Sequence, residues 1–231
     1  METRALGSQG LTVSAQGLGC MGMSQAYGQP DEAGSIATLH RALELGVTFW
    51  DTANVYGDDG PGGFGANEVL LAKVLAERRD EVTLATKMGI NGVATEGGIS
   101  FSLSATPDDV RRRCEESLER LGTDHIDLYY LHRVDPETPI EETIGAMGDL
   151  VQAGKVRYVG VSEVTAEQRG VRPGQVALAW VHARGEDVVP IPGTKRIEYL
   201  EQNVAALDVT LTADELDRLD GLAAKVAGTR Y

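Results

Sequence analysis

Two rhythms alternate along this chain, short runs of continuous apolar residues and longer stretches in which apolar residues return every three or four positions. The short runs fall at 16–21, 47–51, 81–87, 125–132, 156–162 and 187–191 and read as buried strands. Between them, Ile36, Leu39 and Leu43 keep helical spacing up to a stop at Gly46. Leu71, Val74 and Leu75 do the same behind a capping Asn67, with Arg78, Arg79 and Asp80 ending that helix in solvent. A third helix opens on TPDD at 106–109, with a capping Thr106, a proline in the first turn and acids where the helix dipole favours them. Its stripe is Val110, Cys114, Leu118 and Leu121, and Gly122 stops it. A capping box at 138–141, TPIE, opens a fourth, with Ile144, Met147 and Val151 inward and Gly154 at its end. Residues 175–184, closed by Gly185, form a fifth, and 196–207 and 212–226 two more, the last with a capping box from Thr212 to Glu215. Helix, glycine, buried strand, polar residue at the strand exit: repetition of this unit predicts a parallel sheet or barrel of α/β class.

The remainder is punctuation. Residues 3–22 alternate around Gly7 and Gly10 and predict a small hairpin leading into the first buried strand. Two glycine-rich stretches, 57–65 and 89–105, are too long for simple connectors and read as rim loops. Gly17, Gly19 and Gly22 match the spacing G-x-G-x-x-G, but no helix opens directly behind them, so they mark a tight strand exit and not a dinucleotide fingerprint.

Composition narrows the function classes. With 231 residues, 42% hydrophobic and 24% charged, the chain suits one domain with a sizeable core. A formal charge of −14 argues against a nucleic-acid or anionic-membrane surface, so any phosphate-bearing ligand has to meet a local basic patch. Cys20 and Cys114 have no Cys or His neighbour at metal spacing and read as packed free thiols, with no metal site. The thiols fit a reducing cytoplasm, and neither a signal-peptide pattern nor a run of apolar residues long enough to span a membrane is present.

Three strands end on ionisable residues, Asp51, Lys87 and His132, and Tyr56 follows Asp51 in the next loop. Ligands and chemistry collect at the C-terminal ends of strands in a parallel βα architecture. Each residue also has a plainer reading: a turn Asp, a packed Tyr, a Lys at the sheet edge, a satisfied core His. In FWDTANVYG, TLATKMG and YYLHRVD these four together resemble the catalytic tetrad of the aldo-keto reductases, NADPH-dependent enzymes on a (β/α)8 barrel. GLGCMGM near the start, KVRYVGVSE at 155–163 and IPGTKRIEYLEQN at 191–203 extend the resemblance over almost the whole chain. HRVDP and GVSE are similar to the microbial and plant branch that includes pyridoxal reductases and related aldehyde reductases.

The tetrad makes chemical sense by itself. Reducing a carbonyl needs hydride on carbon and a proton on oxygen, from an acid whose pKa lies near the working pH. A phenol, at about 10, is too weak an acid unless a nearby ammonium favours its anion. Lys87 takes that role beside Tyr56, Asp51 holds the ammonium, and His132 donates a hydrogen bond to the substrate oxygen. For the cofactor, IPGTKR places Thr194, Lys195 and Arg196 behind Ile191 and Gly193, at the opening of a helix. Two basic residues favour NADPH over NADH, because the 2′-phosphate then has a partner. The resemblance further implies that Gln202 and Asn203 meet the adenine, that Gly19 and Met21 lie along the cofactor, and that Ser162 touches the nicotinamide carboxamide. Glu163 departs from the Asn most common in the family after that serine.

A (β/α)8 barrel needs eight strands, and the sequence supplies six. Between Ser162 and Gln175 stands only EVTAEQRGVRPG, where the family carries two more strands, their helices and a long substrate loop. The expectation is a single barrel domain lacking about two βα units, through a missing or deleted stretch near 167–171. The absent part includes the aromatic that stacks on nicotinamide. The activity implied is reduction of aldehydes or ketones. The alternative is an NADPH-binding sensor or regulatory subunit with little turnover, as in the potassium-channel β subunits of this family. A phosphate-handling isomerase on the same fold would require an acid–base pair and phosphate loop that are not found. Substrate identity and oligomeric state stay open.

Overall fold

The structure, a computed structural model, describes residues 1–6, 9–25, 29–57, 63–95, 98–161, 173–209, 211, 213, 216, 217, 219 and 220. Its first unit is an antiparallel hairpin, β1 (Thr3–Leu6) and β2 (Leu11–Ser14), as its alternation predicts. Ser14 Oγ accepts hydrogen bonds from the N–H groups of Thr48 and Phe49, 3.1 Å each, which fixes the hairpin under the entry of a central strand. From there Leu11 and Val13 pack on Phe49, Ala85 and Leu128 and close one end of the sheet's concave side.

That sheet is parallel throughout. It contains β3 (Leu18–Gly19), β4 (Phe49–Asp51), β5 (Thr83–Met88), β8 (Ile126–Leu131) and β9 (Val156–Val161), hydrogen-bonded in the order β3-β4-β5-β8-β9. The run at 187–191 does not form the predicted strand. Its neighbour reaches only carbonyls there: Gly17 N–H donates to Pro190 O at 2.9 Å and Gly19 N–H to Pro192 O at 3.0 Å. Proline has no N–H to return, so two prolines reduce a ladder to one-sided bonds. An isolated parallel bridge, Gly19 to Gly193, completes the contact. The backbones touch because Gly19 has no side chain; a Cβ there would lie 2.7 Å from Ile191 O.

Helices cover the convex side. Trp50 and Leu84 pack against Leu39 and Leu43 of α1 (Glu32–Glu44) and Leu71, Val74 and Leu75 of α2 (Ala66–Arg78). Tyr129 and Leu131 pack against Val110, Cys114 and Leu118 of α3 (Pro107–Leu121) and Met147 and Leu150 of α4 (Ile140–Gln152). Trp50 is fully buried; truncating such a residue to Ala costs about 3–5 kcal/mol. Gly46, Gly122 and Gly154 stop helices at φ of 78°, 64° and 74°, in the left-handed region the sequence asks of them. Thr106 caps α3 by accepting from Asp109 N–H at 3.2 Å. The last elements are α5 (Pro173–His182), which starts two residues before the predicted helix, α6 (Ile197–Val204), shorter than the predicted 196–207, and a 3-10 turn at Ala205–Asp208; the Thr212 to Glu215 capping box lies outside the described residues. Among the described residues no helix is long and apolar enough to cross a membrane.

Several sequence expectations are corrected. The rim loop at 89–105 is mostly an antiparallel hairpin, β6 (Ile90–Thr95) and β7 (Gly98–Leu103). Asn67 does not cap α2; Gly65 occupies that position at φ 84°, and Asn67 is buried one residue inside the helix. Thr138 does not cap α4, because its hydroxyl donates to Asp135 Oδ2 at 2.8 Å. The inward face of α4 is Thr143, Ala146, Met147 and Leu150, with Ile144 and Val151 exposed. Arg79 does not end in solvent: it pairs with Asp127 at 2.8 Å, and Arg157 approaches the same carboxylate at 2.7 Å.

Beyond β8, β9 has no sheet partner among the described residues, and Val159 and Val161 stand 41% and 61% exposed on a strand that would be covered in a closed barrel. The stretch near 167–171, where the sequence leads one to expect a missing or deleted part, lies outside the described residues.

His182, near the end of α5, is held to a pKa of about 4 from its usual 6.5, first by burial and then by the Arg4 guanidinium. In the unfolded chain it protonates first, so stability from keeping it neutral is complete above about pH 6.5 and is lost as pH falls toward 4. Thermal melts of wild type and His182→Leu at pH 7 and 5 check this: the variant should lose less stability over that interval, and equal losses would remove His182 as a contributor.

Candidate active site

Strand register delivers the ionisable residues to one end of the sheet. Asp51 closes β4 opposite Gly19 on one side and Ala85 on the other, and Lys87 lies opposite Tyr130. The exits are then cross-tied. Cys20 N–H donates to Asp51 O at 2.8 Å, Asn54 N–H to Lys87 O at 3.1 Å, and His132 N–H to Met88 O at 2.7 Å. On the concave side, Lys87 Nζ donates to Asp51 Oδ1, to Thr52 O at 2.9 Å and to the Tyr56 hydroxyl at 3.3 Å. The His132 ring meets the Tyr56 ring edge-on, with centroids 5.9 Å apart.

Asp51 and Lys87 are 4% and 5% exposed, so burial governs their electrostatics. For Lys87, burial alone depresses the pKa, but the Asp51 charge and the Tyr56 hydroxyl outweigh it and hold the ammonium above its ordinary value. Burial pushes the Asp51 carboxyl up while Lys87 opposes the shift. Its second oxygen, Oδ2, is buried with no hydrogen-bond partner among the described residues, consistent with an incompletely compensated carboxylate. Neighbouring Tyr130 is pushed up to about 12, by burial and then by Asp51, so its hydroxyl stays protonated. These groups open into a cavity of about 680 Å³ whose wall includes Tyr56, Lys87, His132, Tyr130, Trp180 and Ile191.

The segment after Ile191 leaves that cavity and forms another. Gly193, Thr194, Lys195 and Arg196, with Gly22 and Tyr199, line a space of about 340 Å³. Thr194 Oγ1 accepts from Arg196 N–H at 3.1 Å, the Arg196 guanidinium lies over the Tyr199 ring at 5.5 Å, and Lys195 Nζ donates to Gln29 O at 2.7 Å. Gly19 is bridged to Gly193, and Met21 opens the 3-10 turn Met21–Met23 just behind it. Gln202 and Asn203 lie on α6, about one turn beyond Tyr199. Gln202 Nε2 donates to Glu198 Oε1 at 2.9 Å, and its backbone O accepts from Gln175. Ser162 lies outside the described residues.

Sequence reasoning missed Tyr130, Trp180 and Tyr199 as lining residues and Asn67 and Gln25 as supports. Gln25 Oε1 accepts from Gly57 N–H beside Tyr56. Tyr199 stood within IPGTKRIEYLEQN, one turn past the basic pair, and that spacing was the available signal.

Comparison with known proteins bears on the family and the fold. The sequence profile described as "Aldo/keto reductase family" matches residues 16–169 and 163–224, two segments that overlap at 163–169. A curated relative from Glycine max, "Probable aldo-keto reductase 1", is 34% identical over an alignment of 322 positions that covers 98% of this chain and 90% of the relative. Among solved structures, the holo form of aldo-keto reductase AKR11C1 from Bacillus halodurans superposes with a TM-score of 0.83 at 25% identity, covering 100% of this chain and 99% of its own. The thermostable aldo-keto reductase Tm1743, in complex with the inhibitor epalrestat, gives 0.75 at 26% identity, covering 96% and 100%. Against these (β/α)8 barrels, the present chain is a shortened version lacking about two βα units. The chain therefore belongs to the aldo/keto reductase family, the oxidoreductases of carbonyl groups.

Proposed function

We propose that this protein reduces aldehydes or ketones to alcohols with NADPH, the hydride coming from the nicotinamide and the proton from Tyr56. One observation carries the reading: Lys87, anchored by Asp51 and Thr52 O, turns its remaining donor to the Tyr56 hydroxyl beside His132 in a single cavity. An ammonium in that position favours the phenolate, which makes the phenol a competent acid and lets it surrender its proton as the alkoxide forms. His132, on the same wall, supplies a donor for the carbonyl oxygen and so sets which atom faces Tyr56. Asp51 acts through Lys87.

The donor set fits a dinucleotide. Residues Ile191 to Arg196 line first the tetrad cavity and then the basic one, and the Gly19 to Gly193 bridge fixes that segment to the exit of β3. Thr194, Lys195 and Arg196 supply the donors an anionic nucleotide needs on a chain of charge −14. When bound, the nicotinamide supplies the hydride. Gln202, Asn203, Met21 and Ser162 complete the proposed contacts by family likeness. The free, buried thiols Cys20 and Cys114 suit a cytoplasmic setting. A second reading, an NADPH-binding sensor with little turnover, draws on the tetrad cavity wall: α5 contributes Leu178, Trp180 and Val181 to it, while β9 has no further strand neighbour among the described residues.

Aldehyde-dependent NADPH oxidation separates the two. Tyr56→Phe should lower turnover by roughly 10²–10⁴-fold while NADPH fluorescence on binding stays as in wild type; a variant as fast as wild type would remove Tyr56 as the acid. Fluorescence titration also tests the basic pair. Arg196→Ala should weaken NADPH by about 10- to 100-fold and NADH far less, whereas equal losses would show that no 2′-phosphate is read there.

A further inference from the structure

Asn67 is fully buried on the first turn of α2, where a capping role is already taken by Gly65. Its amide is committed at both ends. Nδ2 donates to Cys20 O at 2.9 Å and to Ser24 Oγ at 2.7 Å, and Oδ1 accepts from Thr52 Oγ1 at 2.6 Å. The orientation is forced, because the Cys20 carbonyl can only accept and must therefore face the NH2 group. Its backbone N–H, with that of Gly65, donates to Tyr56 O at 3.3 and 3.1 Å.

Those contacts reach both halves of the proton-donating pair. Tyr56 lies in a loop, so no strand ladder fixes its backbone, and its carbonyl is held by the two N–H groups at the start of α2. Lys87 is steered by Thr52 O, and the Thr52 side chain is held by Asn67. Cys20 closes the circuit, since its N–H donates to Asp51 O while its C=O accepts from Asn67. Resting on the reading of Tyr56 as the proton donor, we propose that Asn67 is a positioning residue. It locks the exits of β3 and β4 to the start of α2 and so keeps the Tyr56 hydroxyl at Lys87. The Tyr56 to Lys87 contact, at 3.3 Å, is the longest of the three that Lys87 makes and has little distance to spare.

The test reads the phenol directly. In protein carrying 13Cζ-tyrosine, the Tyr56 resonance is assigned by its disappearance in Tyr56→Phe and titrated in the variants. Asn67→Ala should move its midpoint up by about one pH unit, as the ammonium falls out of register, and lower turnover by about 10- to 100-fold with NADPH affinity within about twofold. Thr52→Val, which removes only the donor to Asn67 Oδ1 and keeps the backbone carbonyl, should move both readouts the same way and less far, and Thr52→Ser should restore them. If Asn67→Ala does not fold, the Thr52 pair decides. Unchanged titration and turnover in Asn67→Ala, or in Thr52→Val where that stands alone, would overturn the proposal. A wild type that binds NADPH but reduces nothing would overturn the reductase reading instead, and the titration would still decide whether Asn67 holds Tyr56.

Discussion

An ammonium withdrawn from water persists only where acceptors replace its hydration, and Lys87 has three: the carboxylate of Asp51, the carbonyl of Thr52 and the phenol of Tyr56. The rest of the mouth follows from meeting that demand. Asp51 must lie opposite Ala85, two residues before Lys87 on the same face of the sheet, and the β4 to β5 register places it there. A slip of one residue would turn Lys87 toward the helices and leave a charge among Trp50, Leu84 and Leu71. The packing of α1 and α2 on the convex side therefore does more than build a core. It fixes the register that lets a buried charge find its partners.

How much of this the sequence discloses depends on the range of the cause. Helix stops at Gly46, Gly122 and Gly154 and the cap at Thr106 are local matters of backbone geometry, and they are legible. So are the strand exits, because Asp51, Lys87 and His132 each have a plainer use singly but stand together at the ends of successive apolar runs. What escapes is set by contacts distant in the chain. Asn67 resembles a cap until Thr52, Cys20 and Ser24 are seen around its amide. Arg79 reads as a helix end facing water until Asp127, on a strand 48 residues later, claims it. The stripe on α4 is ambiguous because Ile144 and Val151 are as apolar as the residues that do face inward. Pro190 and Pro192 were visible as letters, yet an apolar run concealed that they could not form a two-sided ladder.

The shortened barrel shows which parts of this architecture stand by themselves. The exits that carry the tetrad and the segment that carries the basic residues occupy neighbouring strands, β8, β5, β4, β3 and the 190–193 stretch. Among the described residues β9 is the edge of the sheet, two strands away from β5, and the Lys87 cluster draws none of its hydrogen bonds from it. Leu178, Trp180 and Val181 of α5 share the lining of the cavity with Tyr56. The acid–base groups thus form one wall of the cavity and α5 supplies apolar residues to the rest.

The bond from Lys195 to the Gln29 carbonyl joins two segments 166 residues apart across the edge of the basic cavity. One N–H of the ammonium is committed there and two remain, so an anion can be met at Lys195 with the clasp still closed. The carbonyl then acts as a tether that holds the cation at the rim before anything arrives, while dissolved salt screens only the approach.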